Sequence, residues 1–352
     1  MPSYAEFLSE VEAGRVVMFP HPAIENLVGF NYCETVAFGR LWNDINLHAR
    51  GVVFYNKKCI SVPFTKFFNL EELDVDFSKR KVKYIQEKED GSLIISFVID
   101  NQILFCTRGS FSSEQAALAK KIWDERHAPF IDIEWAKKHT MLFELTGPSN
   151  RIVSRKHASD ELVLLSCIKI EDSSELDIHD SDLLAAALNC KRPEVYYAEL
   201  VGDIYDSVKS NKSANYEGVV ATLDDGSKLK IKSLKYLELH KAICNLGKKS
   251  YILDQWESFE LNGNLKDVHI IPDEFYPEII QKVTDMSFEF NVQVSKWNAV
   301  YESMFRKVKD GVLRRELALD YPDYKWMLSD LYSEKAFPIG KYIKMFKKEK
   351  EL

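Results

Sequence analysis

Hydrophobic periodicity changes character once along this chain of 352 residues. Up to about Tyr236 the apolar residues come in short, strand-like runs; beyond it they recur at helical spacing and alternation almost disappears. An α+β region of roughly 1–240 followed by a mainly α-helical region of 241–352 is therefore expected, and the length suits two domains. Strand-like runs cover 27–38, 51–55, 94–98, 103–107, 141–145 and 162–170; helical spacing covers 237–246, 274–290, 292–308, 314–319, 326–332 and 339–346. Ser3 with Glu6 reads as the N-terminal cap of a first packing helix, Ser112 with Gln115 as a second cap, and Asp180 or Ser181 opens a short helix to 188.

Within the first region, the stretch Tyr84-Ile85-Gln86-Glu87-Lys88-Glu89-Asp90-Gly91-Ser92-Leu93-Ile94-Ile95 places a lysine in a polar turn between two apolar runs. A lysine at the mouth of a sheet suits a nucleophile, provided that burial and neighbouring cations lower its pKa enough to free the amine. An acidic Asp-Gly turn in a solvated hairpin has the same local pattern. Two carboxylates then stand out, Glu144 inside the apolar run Met141-Leu142-Phe143-Glu144-Leu145 and Glu217 at the entry to Gly218-Val219-Val220. A desolvated carboxylate is costly, so each needs a cation or a ligand as partner. Lys228-Leu229-Lys230-Ile231-Lys232 alternates strictly, with three lysines on one strand face, as either a solvated edge or a phosphate-binding face would have. Arg50 leads into a buried strand, Lys66 sits in the aromatic run Pro63-Phe64-Thr65-Lys66-Phe67-Phe68-Asn69, and Arg108 follows a strand end.

Composition narrows the classes. With 46% hydrophobic residues the chain has material for a sizeable core, and a net charge of −7 excludes a protein basic all over while leaving room for a local basic groove. The six cysteines are scattered and never form Cys-x-x-Cys, which argues against a zinc site or disulfide framework and for a reducing cytoplasm. Neither a signal peptide nor a membrane span is expected in 1–15, where Glu6, Glu10 and Glu12 interrupt any apolar run. The closing run of Lys341, Lys344, Lys347, Lys348 and Lys350 reads as a solvated helix end or a phosphate contact.

Taken in order, Arg50-Gly51, Lys66-Phe67-Phe68-Asn69, Lys88-Glu89-Asp90-Gly91-Ser92, Phe143-Glu144, Pro148-Ser149-Asn150-Arg151-Ile152-Val153, Glu217-Gly218-Val219-Val220 and Lys230-Ile231-Lys232-Ser233 resemble the motifs of covalent nucleotidyltransferases, and in detail the RNA ligase 1 family of bacteriophage T4 type. The resemblance implies an ATP-grasp-like ligase domain of antiparallel sheets with flanking helices. It implies an ATP-dependent ligase of EC 6.5.1.3 type that joins 5′-phosphate and 3′-hydroxyl RNA ends through a lysyl-AMP and an adenylylated RNA end, using Mg²⁺ or Mn²⁺. Lys88 is then the nucleophile, Lys230 and Lys232 contact phosphates, Glu144 the ribose, Glu217 the metal, and Val220 packs under adenine. Arg50, Lys66, Phe68, Gly91 and Arg108 fall at further nucleotide-pocket positions, Arg108 where relatives also carry lysine. Nicked tRNA as substrate, RNA repair, selection of RNA by the helical region, a monomer without membrane contact, and cytoplasm, the host's if the source is viral, complete the implication. A DNA ligase or capping enzyme would continue into a β-rich barrel rather than helices, and an inactive RNA-binding relative would have no chemical need for Lys88, Glu217 and Lys232.

Overall fold

The computed structural model describes residues 1–352 except 74–75, 155, 247, 267–275, 332–338 and 352. The chain falls into two compact units, Met1–Leu237 and Glu238–Leu352. Among the described residues of the first, thirteen strands run in chain order: β1 (Val16–Pro20), β2 (Leu27–Tyr32), β3 (Arg50–Tyr55), β4 (Lys58–Ser61), β5 (Phe68–Asn69), β6 (Val82–Glu87), β7 (Ser92–Ile99), β8 (Gln102–Cys106), β9 (His139–Thr146), β10 (Glu161–Lys169), β11 (Val195–Tyr196), β12 (Gly218–Leu223) and β13 (Lys228–Lys232). They form three sheets of order β1-β2-β3-β4, β10-β9-β7-β8 and β11-β6-β12-β13-β5, antiparallel throughout except for the β13–β5 pair.

The first helix, Tyr4–Glu12, starts at the expected Ser3–Glu6 capping box and lays Phe7 on Phe30 and Phe54 of the first sheet. The run 27–38 is not one strand: β2 stops at Tyr32, and Glu34–Gly39 is a short helix, its acidic Glu34 at the positive end and Arg40 in the left-handed region closing it. Two caps also move. Ser113, not Ser112, accepts from the Ala116 amide to start helix Glu114–Arg126, and Asp177 accepts from the Asp180 amide to start helix Ile178–Ala187.

The central sheet is buried on both faces, which is why its strands read as nearly unbroken apolar runs. Ile94, Phe143 and Leu164 pack with Ile122 and Trp123 of helix Glu114–Arg126, while Ile95, Phe97 and Leu142 pack with Val53 and Val62. The turn between β7 and β8 holds Asp100 and Asn101 at φ 49° and 60°, the left-handed pair that a two-residue hairpin requires. In the third sheet, Leu229 and Ile231 join Ile85 and Val219 against Val201 and Val208 of helix Val201–Ser210, and the alternating lysines of β13 are left on the opposite face.

In the second unit, the segments expected at 274–290 and 292–308 are one helix, Tyr276–Lys309, of 34 residues. Val283, Phe290, Trp297 and Met304 recur every seven residues on its buried side, so the apolar stripe passes Asn291 without a break. Glu274, Phe275 and Tyr332 lie outside the described residues. The sequence reading assigns no element to 249–262, where a helix, Lys249–Asn262, buries Leu253 and Trp256 and ends at Gly263 in the left-handed region. Trp256, Phe290 and Phe346 meet at 4.9–5.3 Å between ring centres, and Trp297 stacks on Tyr342. Three lysines of the basic C-terminal run are bound within this unit: Lys347 to Asp254 and Glu257, Lys350 to Glu289, and Lys341 to Asp330. Among the described residues no helix is long and apolar enough to cross a membrane.

Candidate functional site

Lys88 does not sit in a hairpin. Strands β6 and β7 follow one another in sequence but belong to different sheets, so Lys88-Glu89-Asp90-Gly91 is the crossover between the third and central sheets. Pairing with β12 from one side and β9 from the other fixes both ends of it. The crossover is also buried rather than solvated. One Asp90 oxygen accepts from the amides of Val153 (2.7 Å) and Ser154 (2.6 Å), and the other from the Tyr236 hydroxyl (2.7 Å). Glu89 meets Lys156 at 3.1 Å and His157 at 2.9 Å, and Lys156 reaches Glu87 as well. Gly91 is needed for close approach, since a Cβ there would lie 2.1 Å from the Leu145 carbonyl oxygen.

The register of the third sheet gathers the charged groups. Val219 faces Glu87 and Gly218 faces Lys232, so Glu217, just before β12, comes between Lys88 and Lys232. Its Oε1 is 2.9 Å from Lys88 Nζ and 2.8 Å from Lys232 Nζ, and the residue is 3% exposed. Glu144, on β9, is buried and has no hydrogen-bond partner among the described residues; its carboxylate faces a cavity of about 160 Å³ lined also by Arg50, Phe64, Phe67, Leu93, Val220 and Lys230. A larger cavity of about 610 Å³ lies on the other side of Phe64, Phe67 and Lys228, which line both, and contains Lys66 and Phe68 but none of Lys88, Glu144 or Glu217. Chemistry, not size, therefore marks the smaller cavity. Of the sequence-predicted residues, Arg50, Lys88, Glu144, Val220 and Lys230 share it, while Glu217 pairs with Lys88 from beside it and Lys232 pairs with Glu217. Gly91 supports it from the crossover, and Arg108 lies outside both cavities, its guanidinium 4.9 Å over the Tyr32 ring.

Electrostatics depart from the expectation for Lys88. Burial alone would push its ammonium down, but Glu217, Glu144 and Asp90 together outweigh that and hold it above the ordinary lysine value. It is Lys230 that is depressed, to about 7, by burial first and then by Arg50, Lys66, Lys88 and Lys232. Burial, opposed by Lys88 and helped by Glu217, raises the Glu144 carboxyl to about 8. Burial also lowers Arg50 to about 10 and Lys66 below its usual range. The arrangement can hold a polyanion against several uncancelled cations, with one lysine and one hydroxyl-seeking carboxyl at its base.

Sequence reasoning missed several members. Phe64 and Phe67 line the cavity, Arg50 lies 5.4 Å and Lys230 4.8 Å from the Phe67 ring centre, and the aromatic density of 63–69 was the available signal. Tyr236 and Lys156 gave none, because their partners Asp90, Glu87 and Glu89 are distant in sequence.

Residues 48–236 match the family model described as RNA ligase. A curated protein of Thermovibrio ammonificans bearing the name "Putative RNA ligase" is 26% identical over 214 residues, 56% of this chain and 54% of that protein, so the chain spans about half the length of this curated relative. Among solved structures, an archaeal ATP-dependent RNA ligase is similar with a TM-score of 0.50 and 12% identity over 80% of this chain and 75% of that one, a likeness of fold. A Naegleria gruberi RNA ligase with PPi has a TM-score of 0.42 and 20% identity over 51% of this chain and 58% of that one.

Proposed function

The chain belongs to the RNA ligase family, and from that premise we propose that it is an ATP-dependent enzyme joining 5′-phosphate to 3′-hydroxyl RNA ends through a lysyl-AMP. The observation that carries the reading is the meeting of Lys88, Glu144, Glu217, Lys230 and Lys232 at one crossover between two sheets. In the first step the neutral Lys88 amine forms a bond to the α-phosphorus of ATP as the bond to pyrophosphate breaks. The 5′-phosphate of RNA then takes the adenylyl group from Lys88, and the 3′-hydroxyl attacks that phosphate and expels AMP. Each step shifts negative charge on phosphoryl oxygens, which positioned cations stabilise.

Each residue has a part in this scheme. Lys230 and Lys232 face the phosphates; Arg50 and Lys66, which have no ion pair among the described residues, extend the positive wall; Glu144, whose side chain has no hydrogen-bond partner among the described residues, accepts from a ribose hydroxyl; Val220 gives the base an apolar seat. Glu217 fits a Mg²⁺ or Mn²⁺ ion that takes one carboxylate and completes its shell from phosphate and water, the usual habit of such ions at phosphoryl-transfer sites. No group of three or more metal-binding side chains occurs among the described residues, so a cage supplied wholly by protein is not the model for this ion. With Glu217 engaged elsewhere, Lys88 loses the largest of the carboxylate influences that favour its protonated form. The helical unit is assigned to RNA selection and the whole to RNA repair, with broken tRNA among its substrates.

Incubation with ATP labelled on its α-phosphate and a divalent cation, followed by denaturing electrophoresis, tests the proposal. The protein should carry label, Lys88→Ala should carry none while keeping its circular dichroism, and GTP should label far less. Label on the Lys88→Ala protein removes Lys88 as nucleophile, and a guanylylated product moves the assignment to capping chemistry.

A further inference from the structure

Four cations in or near the cavity have no carboxylate in ion-pair reach among the described residues: Arg50, Lys66, Arg108 and Lys230, the last 4.8 Å from the Phe67 ring centre. Each lies on an aromatic face instead. Arg50 is 5.4 Å from the Phe67 ring centre, Lys66 is 4.8 Å from that of Phe68 and 5.4 Å from that of Trp42, and Arg108 is 4.9 Å from that of Tyr32. The rings are joined. Trp42 meets Tyr32 edge-on at 4.8 Å and Phe68 edge-on at 5.5 Å, so it touches the supports of both Lys66 and Arg108 as well as Lys66 itself. Trp42 and Tyr32 come from the N-terminal sheet and its following loop, before residues 48–236 that match the family.

The choice of partner has a chemical consequence. A carboxylate would place a lysine but cancel its charge, and an incoming phosphate would have to displace it. An aromatic ring places the cation through its quadrupole and leaves the charge available. We infer that Trp42 is a positioning residue for the departing pyrophosphate of ATP, holding Lys66 directly and Arg108 through Tyr32. The inference rests on the adenylylation reading above.

The test uses the full chain and two substitutions of similar bulk, Trp42→Phe and Trp42→Leu, because only the first keeps a ring at position 42 beside Lys66 and against Phe68 and Tyr32. Lys88 adenylylation is followed over a range of ATP concentrations, with and without added inorganic pyrophosphate, and sealing of a chemically pre-adenylylated RNA is followed separately, since that step releases no pyrophosphate. Trp42→Leu should raise the KM for ATP in adenylylation about tenfold and weaken inhibition by pyrophosphate to a similar extent, Trp42→Phe should restore most of both, and the loss in sealing should be much smaller than the loss in adenylylation. Equal behaviour of the two variants, or equal losses in both steps, would show that Trp42 only packs the fold and overturn the inference. A wild-type protein that forms no adenylate would instead overturn the reading on which it rests.

Discussion

Replacing Lys230 by methionine should make the nucleotide-free protein more stable and at the same time disable it. Lys230 is held at about 7, against 10.5 for a free lysine, by burial and by four neighbouring cations. At about 1.4 kcal/mol per pH unit that displacement is a penalty of up to about 5 kcal/mol for folding with the ammonium charged. Water in the open cavity reduces it, and methionine also forfeits the contact with the Phe67 ring, a loss of about 0.5–2 kcal/mol, leaving a net gain of about 2 kcal/mol. The sign follows from proton binding. Between pH 7 and 10.5 the unfolded chain holds a proton on Lys230 that the folded chain has released, so wild-type stability rises with pH across that window; the penalty is complete below pH 7 and gone above 10.5. Thermal unfolding of the first unit, monitored at pH 6 and again near pH 10, should therefore show Lys230→Met above wild type at pH 6 with the difference closing at the higher pH. Added ATP should stabilise wild type and not the variant, because a ligand raises the melting temperature only of a protein that binds it. A variant no more stable than wild type at pH 6, or a gain of the same size at both pH values, would refute the electrostatic argument.

Glu144→Gln should show the opposite slope: with its carboxyl raised to about 8, folded wild type keeps a proton that the unfolded chain loses above about pH 4.5, so wild type loses stability between pH 4.5 and 8 while the variant does not. Melting temperatures of the two should coincide near pH 5 and diverge by pH 8, and parallel curves would contradict the burial of an unpaired carboxyl; the variant should also need more ATP to become labelled. Gly91→Ala places a Cβ 2.1 Å from a backbone oxygen of β9 that cannot turn aside, and should cost about 1–3 kcal/mol with adenylylation falling in step. An unchanged melting temperature would mean that the crossover and β9 part easily.

Much of the site was legible because its residue types are improbable where they stand. A carboxylate in Met141-Leu142-Phe143-Glu144-Leu145 and three lysines alternating with Leu229 and Ile231 announce partners that the local chain does not supply. The α+β to helical division was legible from periodicity. The crossover was not. Strand, turn, strand reads alike whether the strands pair with each other or with β12 and β9, and only those long-range partners distinguish the two. The charge state of Lys88 failed for the same reason, since the nearby lysines are visible in sequence as cations but the contact that decides the outcome, 2.9 Å to Glu217, is a matter of register. The 34-residue helix was divided at Asn291 because a polar residue between apolar ones looks like an end when the seven-residue stripe on its buried side is not followed through.

The failed expectation for Lys88 bears on how such a site avoids misfiring. A lysine kept neutral at all times would react with any electrophile that entered; here Glu217 clamps it as ammonium, and the same carboxylate holds Lys232. The cation that is easily neutralised, Lys230, lies instead among Arg50, Lys66 and Lys232, where a polyphosphate would draw its pKa back up. On the proposed reading, nucleotide and divalent ion thus act on the two lysines in opposite senses: phosphate charge favours the protonated form of Lys230, and engagement of Glu217 removes what favours the protonated form of Lys88. On the same reading, release of the nucleophile requires nucleotide and divalent ion together, because one carboxylate is shared between two lysines.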